Sequence, residues 1–250
     1  MKLSVCLPMF FKKTPLDIAV REVSKLGYKY AEFWGFPQDT DIDALCSACK
    51  ECGVTLTAMC PDKFVLTDDS MHDEYIQSLE IACERAKKLG IKRIITQVGA
   101  DTGKERKIQH ANIVKGLLRA VPILEKYDII LVVEPLNTLV DHKGYYLVNS
   151  CEGFEIIREV NSDNVKLLFD IYHQQVSEGN VISNVVNNLD LIGHLHSAGC
   201  PGRHELWLGE LNYEQIFKAI DEAGYNGTCA LEYKPTLDPI DSLVECKKRY

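Results

Sequence analysis

The chain has 250 residues, of which 46% are hydrophobic and 26% charged, and its formal net charge at pH 7 is −8. This composition is typical of a globular protein, and the length suits either two small domains or one α/β barrel. The acidic balance argues against a nucleic-acid partner, because nucleic-acid binders cluster Lys and Arg. No run reaches the roughly eighteen apolar residues of a membrane span, so we expect no membrane partner.

The N-terminus and the cysteines bear on the cellular compartment. In MKLSVCLPMFFKKTP, charges and a proline follow the apolar run without a small-residue cleavage site, which favours a first strand over a signal peptide. The ten cysteines indicate reduced thiols in a chain of this size. Cys46, Cys49 and Cys52 could hold zinc or an iron–sulfur cluster. On a helix, however, three-residue steps move the third thiol away from the face of the first, so we favour cysteines that are buried or have no specific role. We expect a cytoplasmic protein.

Eight short β-branched or apolar runs are predicted to be strands. In chain order they are KLSVCL, AEFWG, VTLTAMC, RIITQVG, IILVVEP, VKLLFDI, LIGHLHS and TCALEYK. Between them lie amphipathic helical patterns such as PLDIAVREVSKLG, DEYIQSLEIACERAKKLG, ANIVKGLLRAVPILEKY and NYEQIFKAIDEAG, and DPIDSLVECKKRY is the last predicted helix. Eight strand–helix units, with neither a linker nor a G-x-G-x-x-G turn, predict a single (β/α)8 TIM-barrel domain over residues 1–250.

Titratable residues stand at the ends of the last four predicted strands. Glu134 ends the fifth and Asp170 the sixth, His194 and His196 end the seventh, and Glu232 ends the eighth. The carboxyl ends of barrel strands meet at one face, where active sites lie. Each residue alone could be a helix cap, an ion-pair partner or a hydrogen-bonded barrel residue, but four consecutive strands favour one shared site.

Carboxylates combined with one imidazole are typical ligands of a borderline-hard divalent ion in an open, catalytic site. We predict manganese ahead of magnesium, cobalt or zinc, since a structural zinc would require thiolates. Such an ion can hold neighbouring carbonyl and hydroxyl oxygens and stabilise an enediolate, while a flanking glutamate removes a proton from carbon.

Several other polar residues have two interpretations each. Glu32 and Trp34 end the second predicted strand, where a pocket wall and core packing are equally good explanations. His204 and Glu205, in the loop after the seventh strand, either brace that loop or contact substrate. His142 and Asp141, in the loop after the fifth strand, could face the site, but a solvated loop is the default interpretation.

Four segments carry a resemblance to a known group. EPLNT, FDIYHQQ, GHLHSAGCPGRHELWLGELNY and LEYKP occur in this order, and the chain resembles the xylose isomerase-like barrel superfamily, specifically its hydroxypyruvate isomerase-like sugar isomerases and epimerases. PGRHE followed by GELNY is the most specific match and indicates the hydroxypyruvate isomerase branch.

The resemblance implies roles for individual residues. It implies metal ligation by Glu134, Asp170, His196 and Glu232. Glu134 and Glu232 would also carry the proton between adjacent carbons of the substrate. Substrate binding is implied for His173 and Arg203, and we place His194 on the substrate side as well.

These residues predict a divalent-metal-dependent isomerase of the aldose–ketose type, which acts through an enediolate on a small keto acid or short keto sugar. Ketose 3-epimerisation is an alternative, although TLVDHKG follows EPLNT where the epimerases carry a substrate-binding glutamate. A metal-dependent lyase on a sugar, a cyclitol or a C-glycoside, the last with a second protein, stays open. So do a ligand-sensing barrel without catalysis and a homo-oligomer. Acidic charge disfavours an abasic-site endonuclease.

Overall fold

The computed structural model describes residues 1–37 and 40–250. Its strands are β1 (Lys2–Cys6), β2 (Tyr30–Glu32), β3 (Thr55–Leu56), β4 (Arg93–Thr96), β5 (Ile130–Val133), β6 (Val165–Asp170), β7 (Ile192–Ser197) and β8 (Thr228–Leu231). Each of the eight predicted runs overlaps one of these strands. All pairings are parallel, in the order β3-β2-β1-β8-β7-β6-β5-β4. The parallel bridge between Met59 and Ile94 joins the two ends of that order, so the predicted (β/α)8 TIM barrel is confirmed.

Helices alternate with the strands around the barrel. They are α1 (Leu7–Phe10), α2 (Leu16–Lys25), α3 (Ile42–Cys52), α4 (His72–Leu89), α5 (Arg106–Tyr127), α6 (Ser150–Val160), α7 (Ile171–Ser177), α8 (Val181–Val186), α9 (Tyr213–Glu222) and α10 (Pro239–Arg249). The predicted helices are present, and α5 begins five residues earlier than its apolar pattern.

Local sequence explains where these helices begin and end. Asp41 precedes α3, and its carboxylate accepts hydrogen bonds from the amides of Asp43 and Ala44, which would otherwise lack partners at the helix start. Asp238 and Pro239 begin α10 in the same manner. Gly90 ends α4 at a φ of +70°, a left-handed conformation that glycine adopts without strain.

Alternation along the strands determines which side chains face the barrel interior. Val132 and Leu168 belong to a small apolar cluster separate from the main core between strands and helices. Glu134 and Asp170 lie two residues further along β5 and β6, so they share the face of Val132 and Leu168. In the β6–β7 register, Leu168 pairs with His194 and Asp170 with His196. The predicted site residues therefore form the upper layers of the barrel interior.

The structure also bears on the predictions about the cysteines and about membrane-spanning segments. All ten cysteines are free thiols, and Cys46, Cys49 and Cys52 lie on α3 at intermediate burial. Within residues 1–37 and 40–250, no helix combines the length and the apolar character needed to cross a membrane.

Candidate active site

The carboxyl ends of β5 to β8 bring together the four residues predicted as metal ligands. Glu134 and Glu232 directly follow β5 and β8, Asp170 ends β6, and His196 lies near the end of β7. All four are at most 5% exposed. Nδ1 of His196 lies 3.6 Å from Oε1 of Glu134 and 3.4 Å from Oε2 of Glu232. Three carboxylates and one imidazole thus share a single buried layer.

A second imidazole, that of His173, joins these carboxylates from the start of α7. One ligand atom from each of Glu134, Asp170, His173 and Glu232 lies within 4.8 Å of the others. Asp170 holds the turn into α7, because its Oδ1 accepts the amides of Tyr172 and His173 at 2.8 and 3.1 Å. The site thus contains two imidazoles, and their hydrogen bonds decide which one can bind an ion.

Asn137 determines the tautomer of His173. The Asn137 side chain is oriented by the amides of Val140 and Asp141, which donate to its Oδ1 at 3.0 and 3.1 Å. Its Nδ2 therefore donates to Nδ1 of His173 at 2.6 Å, and its backbone N–H does so at 3.3 Å. Since Nδ1 is an acceptor, the proton of the neutral ring is on Nε2.

His173 consequently presents an N–H donor to the site and not a free lone pair. Its Nε2 is buried without a hydrogen-bond partner, 3.7 Å from Oδ2 of Asp170. Burial lowers the pKa of His173 to about 4, so the ring is neutral at physiological pH. A neutral N–H is suited to a substrate oxygen, which makes His196 the better metal ligand.

The donor set fits a divalent ion. Nδ1 of His196 is buried without a hydrogen-bond partner and faces Glu134 and Glu232. Buried polar atoms are otherwise almost always paired, so such an atom is suited to a ligand. The oxygens of Asp170 and the two glutamates complete a mixed oxygen and nitrogen set of the kind that manganese, magnesium, cobalt and zinc accept.

The two glutamates differ in their electrostatic surroundings. Burial raises the pKa of Glu134 well above its ordinary value, and the neighbouring Glu232 and Asp170 add to the rise. Burial also disfavours the charged form of Glu232, but Arg203 and His196 outweigh it and hold the pKa of Glu232 well below its ordinary value. Two neighbouring carboxyl groups whose surroundings shift their pKa values in opposite directions are typical of sites that transfer protons.

Arg203 lies in the loop that follows β7 and reaches over the mouth of the barrel. Its Nη2 contacts Oε2 of Glu232 and lies 4.0 Å from Oδ2 of Asp170, and its side chain is 12% exposed. The backbone at Arg203 has a φ of +57°. The loop folds tightly on itself, since a Cβ on Gly209 would overlap the carbonyl oxygen of Cys200.

Glu205 and His204 brace this loop. Glu205 is fully buried, and its carboxylate accepts hydrogen bonds from the amides of Thr236 and Leu237 and the hydroxyls of Thr236 and Ser242. Nδ1 of His204 lies 2.9 Å from the carbonyl oxygen of Lys234. Both residues tie the loop after β7 to the segment after β8, which supports the bracing interpretation over substrate contact.

The segments that follow β2 and β4 contribute side chains that contact the site glutamates. The indole N–H of Trp34 donates to Oε1 of Glu232 at 2.8 Å. Nε2 of Gln97 donates to Oε2 of Glu134 at 3.2 Å. Glu32 lies on the other side of His196, with its Oε1 2.9 Å from Nε2 of that ring. Side chains from the first half of the barrel thus contact and orient Glu134, His196 and Glu232 from the second half.

His194 lies one layer below His196. It is fully buried, and its Nε2 lies 2.7 Å from Oε2 of Glu32. Its ring is 5.2 Å from that of His196. The residues that line the cavity at the barrel mouth do not include His194, and its substrate-binding role stays a prediction.

A cavity of about 710 Å³ opens above the carboxylate layer. Its lining includes Glu134, His173, Arg203 and Glu232, together with Trp34, Cys60, Phe64, Gln97, His142 and Tyr145. Of the two interpretations of His142, the structure favours the one in which it faces the site, because His142 lines this cavity and its ring lies 5.2 Å from that of His173. Most groups predicted to touch substrate therefore border one space.

Two contributors were not singled out from the sequence. Gln97 follows β4 in RIITQVG, where a polar residue ends an apolar run, which is the same signal that identified Glu134. Asn137 lies within EPLNT, but its contact with His173 spans 36 positions. The contact can be recognised only once β5 and β6 are known to lie side by side.

Comparisons with known proteins agree with this geometry. The profile of the xylose isomerase-like TIM barrel family matches residues 20–249. Hydroxypyruvate isomerase from Escherichia coli K12 is 31% identical over 244 residues, which cover 94% of each chain. The 2-oxo-tetronate isomerase of Cupriavidus necator is 36% identical over 157 residues, 62% of this chain and 59% of that protein.

A solved structure shows the same fold. The crystal structure of an AP endonuclease, family 2, from Brucella melitensis has a TM-score of 0.92 and 25% sequence identity, and the match covers 99% of this chain and 98% of that one. The barrel and its order of elements are therefore shared over nearly the whole length.

Proposed function

The chain belongs to the xylose isomerase-like TIM barrel family and is an isomerase, and we propose that it interconverts the keto and aldehyde forms of a small 2-keto acid such as hydroxypyruvate, with a divalent ion bound in the site. One observation carries the proposal: two buried glutamates flank Nδ1 of His196 beneath a cavity that His173 and Arg203 also border. We propose Glu134, Asp170, His196 and Glu232 as the ligands, and manganese ahead of magnesium, cobalt or zinc.

The ion, when bound, would polarise the carbonyl and hydroxyl oxygens of the substrate and stabilise the enediolate. Glu232 is oriented by Trp34 and Arg203 and removes a proton from the hydroxymethyl carbon. Glu134 delivers a proton to the former carbonyl carbon, and the hydroxyl proton moves to the former carbonyl oxygen. The net change moves one hydrogen between adjacent carbons, so no external oxidant or reductant is needed, and proton exchange with water returns Glu232 to its charged form and Glu134 to its protonated form.

His173 and Arg203 would bind the substrate around this reaction. The Nε2–H of His173 points into the carboxylate layer without a partner and donates to a substrate oxygen. Arg203 binds the carboxylate of the keto acid, because a guanidinium offers parallel N–H donors that match a carboxylate. An acid substrate is therefore favoured over a neutral ketose.

We further propose that residues 1–250 act as one barrel unit in the cytoplasm. Ten free cysteines support a reducing compartment, where thiols persist. A nucleic-acid substrate is disfavoured, since the net charge is −8 and acidic side chains dominate the site.

Product analysis of the manganese-loaded protein tests the proposal. Hydroxypyruvate, a four-carbon 2-oxo acid and a neutral ketohexose are each incubated with it, and the products are identified by NMR after the ion is removed. We expect the aldehyde isomer from the keto acids and slower turnover of the ketohexose. A 3-epimer of the ketohexose as the main product would favour the epimerase alternative, and loss of a group from the substrate would indicate a lyase.

A further inference from the structure

A buried carboxylate on β2 lies behind His196, on the side away from Glu134 and Glu232. Glu32 is 1% exposed, and its Oε1 lies 2.9 Å from Nε2 of His196. The register between β1 and β2, in which Cys6 pairs with Glu32, directs this side chain into the barrel. The imidazole of His196 therefore lies between two sets of carboxylates, one at each ring nitrogen.

Glu32 is itself held from two further sides. Its Oε2 lies 2.7 Å from Nε2 of His194 and accepts the hydroxyl of Thr57 at 3.1 Å. The Thr57 hydroxyl lies 2.9 Å from that of Ser4. Because these partners hold the carboxylate in place, Glu32 can in turn fix the orientation of the His196 ring.

We propose that Glu32 is a positioning residue that makes His196 an ion ligand through Nδ1. A carboxylate only accepts hydrogen bonds, and Oε1 of Glu32 lies nearer to the ring, at 2.9 Å, than the oxygens of Glu134 and Glu232, at 3.6 and 3.4 Å. We therefore place the proton of a neutral ring on Nε2, which leaves the lone pair on Nδ1. Nδ1 is the atom that faces Glu134 and Glu232. This inference rests on the proposed function, since it requires the ion site.

The geometry of the Glu32–His196 pair fits a hydrogen bond that forms fully when His196 binds an ion. The two atoms are within ion-pair distance, but neither has a hydrogen-bond partner. A small rotation of the ring, as Nδ1 takes up an ion, would align the N–H with Oε1. Carboxylate–imidazole pairs behind a metal orient the ring and raise its basicity.

The same three residues could in principle bind an ion themselves. Ligand atoms of Glu32, His194 and His196 lie within 4.8 Å of one another. Nε2 of His194 is already hydrogen-bonded to Oε2 of Glu32 at 2.7 Å, however, and neither Glu32 nor His194 lines the cavity. We therefore assign the group to orientation of one ion site and not to a second site.

The test measures binding of Mn²⁺ by titration calorimetry to the wild-type chain and to Glu32→Gln. We expect one ion per wild-type chain and a dissociation constant about 10- to 100-fold weaker in the variant. The matched control is Glu205→Gln, which changes another fully buried carboxylate, whose hydrogen-bond partners are Thr236, Leu237 and Ser242. Its ion affinity should stay close to the wild-type value.

The imidazole can be observed directly by ¹⁵N NMR of the Zn²⁺-loaded protein. Wild-type His196 should carry its proton on Nε2 and bind the ion through Nδ1, and this signature should weaken in Glu32→Gln. If Glu32→Gln does not fold, Glu32→Asp keeps the charge one methylene further away and should show an intermediate affinity.

The outcomes separate this inference from the proposed function. Wild-type protein that binds no ion would overturn both. One ion bound equally well by wild type and Glu32→Gln, or ligation of His196 through Nε2, would overturn only the role of Glu32. Two ions per wild-type chain, with the second lost in Glu32→Gln, would replace it with a second metal site.

Discussion

The two halves of the barrel contribute to the site in different ways. Strands β5 to β8 end in groups whose reactive atoms face one another at the cavity, namely Glu134, Asp170, His196 and Glu232. Side chains at and after the ends of β2 and β4 instead contact these groups from the side or from behind, as Trp34 does to Glu232 at 2.8 Å and Gln97 to Glu134 at 3.2 Å. The second half therefore supplies the reactive groups and part of their orientation, through Asn137 and Arg203, whereas the first half contributes orientation.

The largest effect is expected at the acid and base in the second half. Glu232→Gln keeps the shape of the side chain but removes a negative charge and a proton acceptor. A general base contributes about a hundredfold to ten-thousandfold in rate, so kcat should fall by that factor while the barrel stays folded. Steady-state kinetics and circular dichroism check this, with the exposed Glu222→Gln on α9 as control. Near-normal turnover with ion bound would mean that Glu232 is neither acid nor base.

Arg203 sharpens the comparison by separating an acid substrate from a neutral one. Lysine cannot reproduce the two parallel hydrogen bonds of a guanidinium to a carboxylate. Arg203→Lys should therefore lose about 1.5 to 3 kcal/mol of binding for a keto acid, and less for a neutral ketose.

The measurement for Arg203 is the ratio of kcat/KM for the acid to that for the neutral substrate, in the variant and in wild type. Arg249→Lys is the control, because Arg249 packs on Trp207 and does not line the cavity. An unchanged ratio in Arg203→Lys would contradict carboxylate recognition and move the neutral-sugar interpretation ahead.

The smallest effect is expected in the first half, at Trp34. Trp34→Phe keeps an aromatic ring but removes the N–H that donates to Glu232. Trp34 is 40% exposed, so water can partly replace the bond, and we expect a loss of about 1 kcal/mol, or roughly fivefold in kcat/KM. Trp207→Phe is the control. A loss of activity as large as that of Glu232→Gln would contradict the different roles assigned to the two halves.

The sequence predicts the barrel and the second half of the site because both depend on local patterns. Apolar runs identify the strands, and a titratable residue directly after a run, such as Glu134 or Asp170, identifies the barrel mouth. These signals need only strand periodicity and the rule that parallel strands end at one face.

The contribution of the first half depends on contacts that no local pattern contains. Glu32 was open to two interpretations, and its contact with His194 spans 162 positions. The same holds in the second half for Asn137, which belongs to a loop motif in the sequence and determines the tautomer of His173 only because β5 and β6 lie side by side. Such contacts follow from barrel closure and strand register, which bring distant residues to within hydrogen-bond distance.

Deuterium exchange tests most directly the claim that an ion and two glutamates move a proton on the substrate. Hydroxypyruvate is incubated in deuterated water with manganese-loaded protein, with protein stripped by a chelator, and with stripped protein to which manganese is restored. Mass spectrometry then measures the deuterium bound to carbon. We predict rapid incorporation with manganese, loss on chelation and recovery on restoration. Equal incorporation with and without the ion would contradict the account.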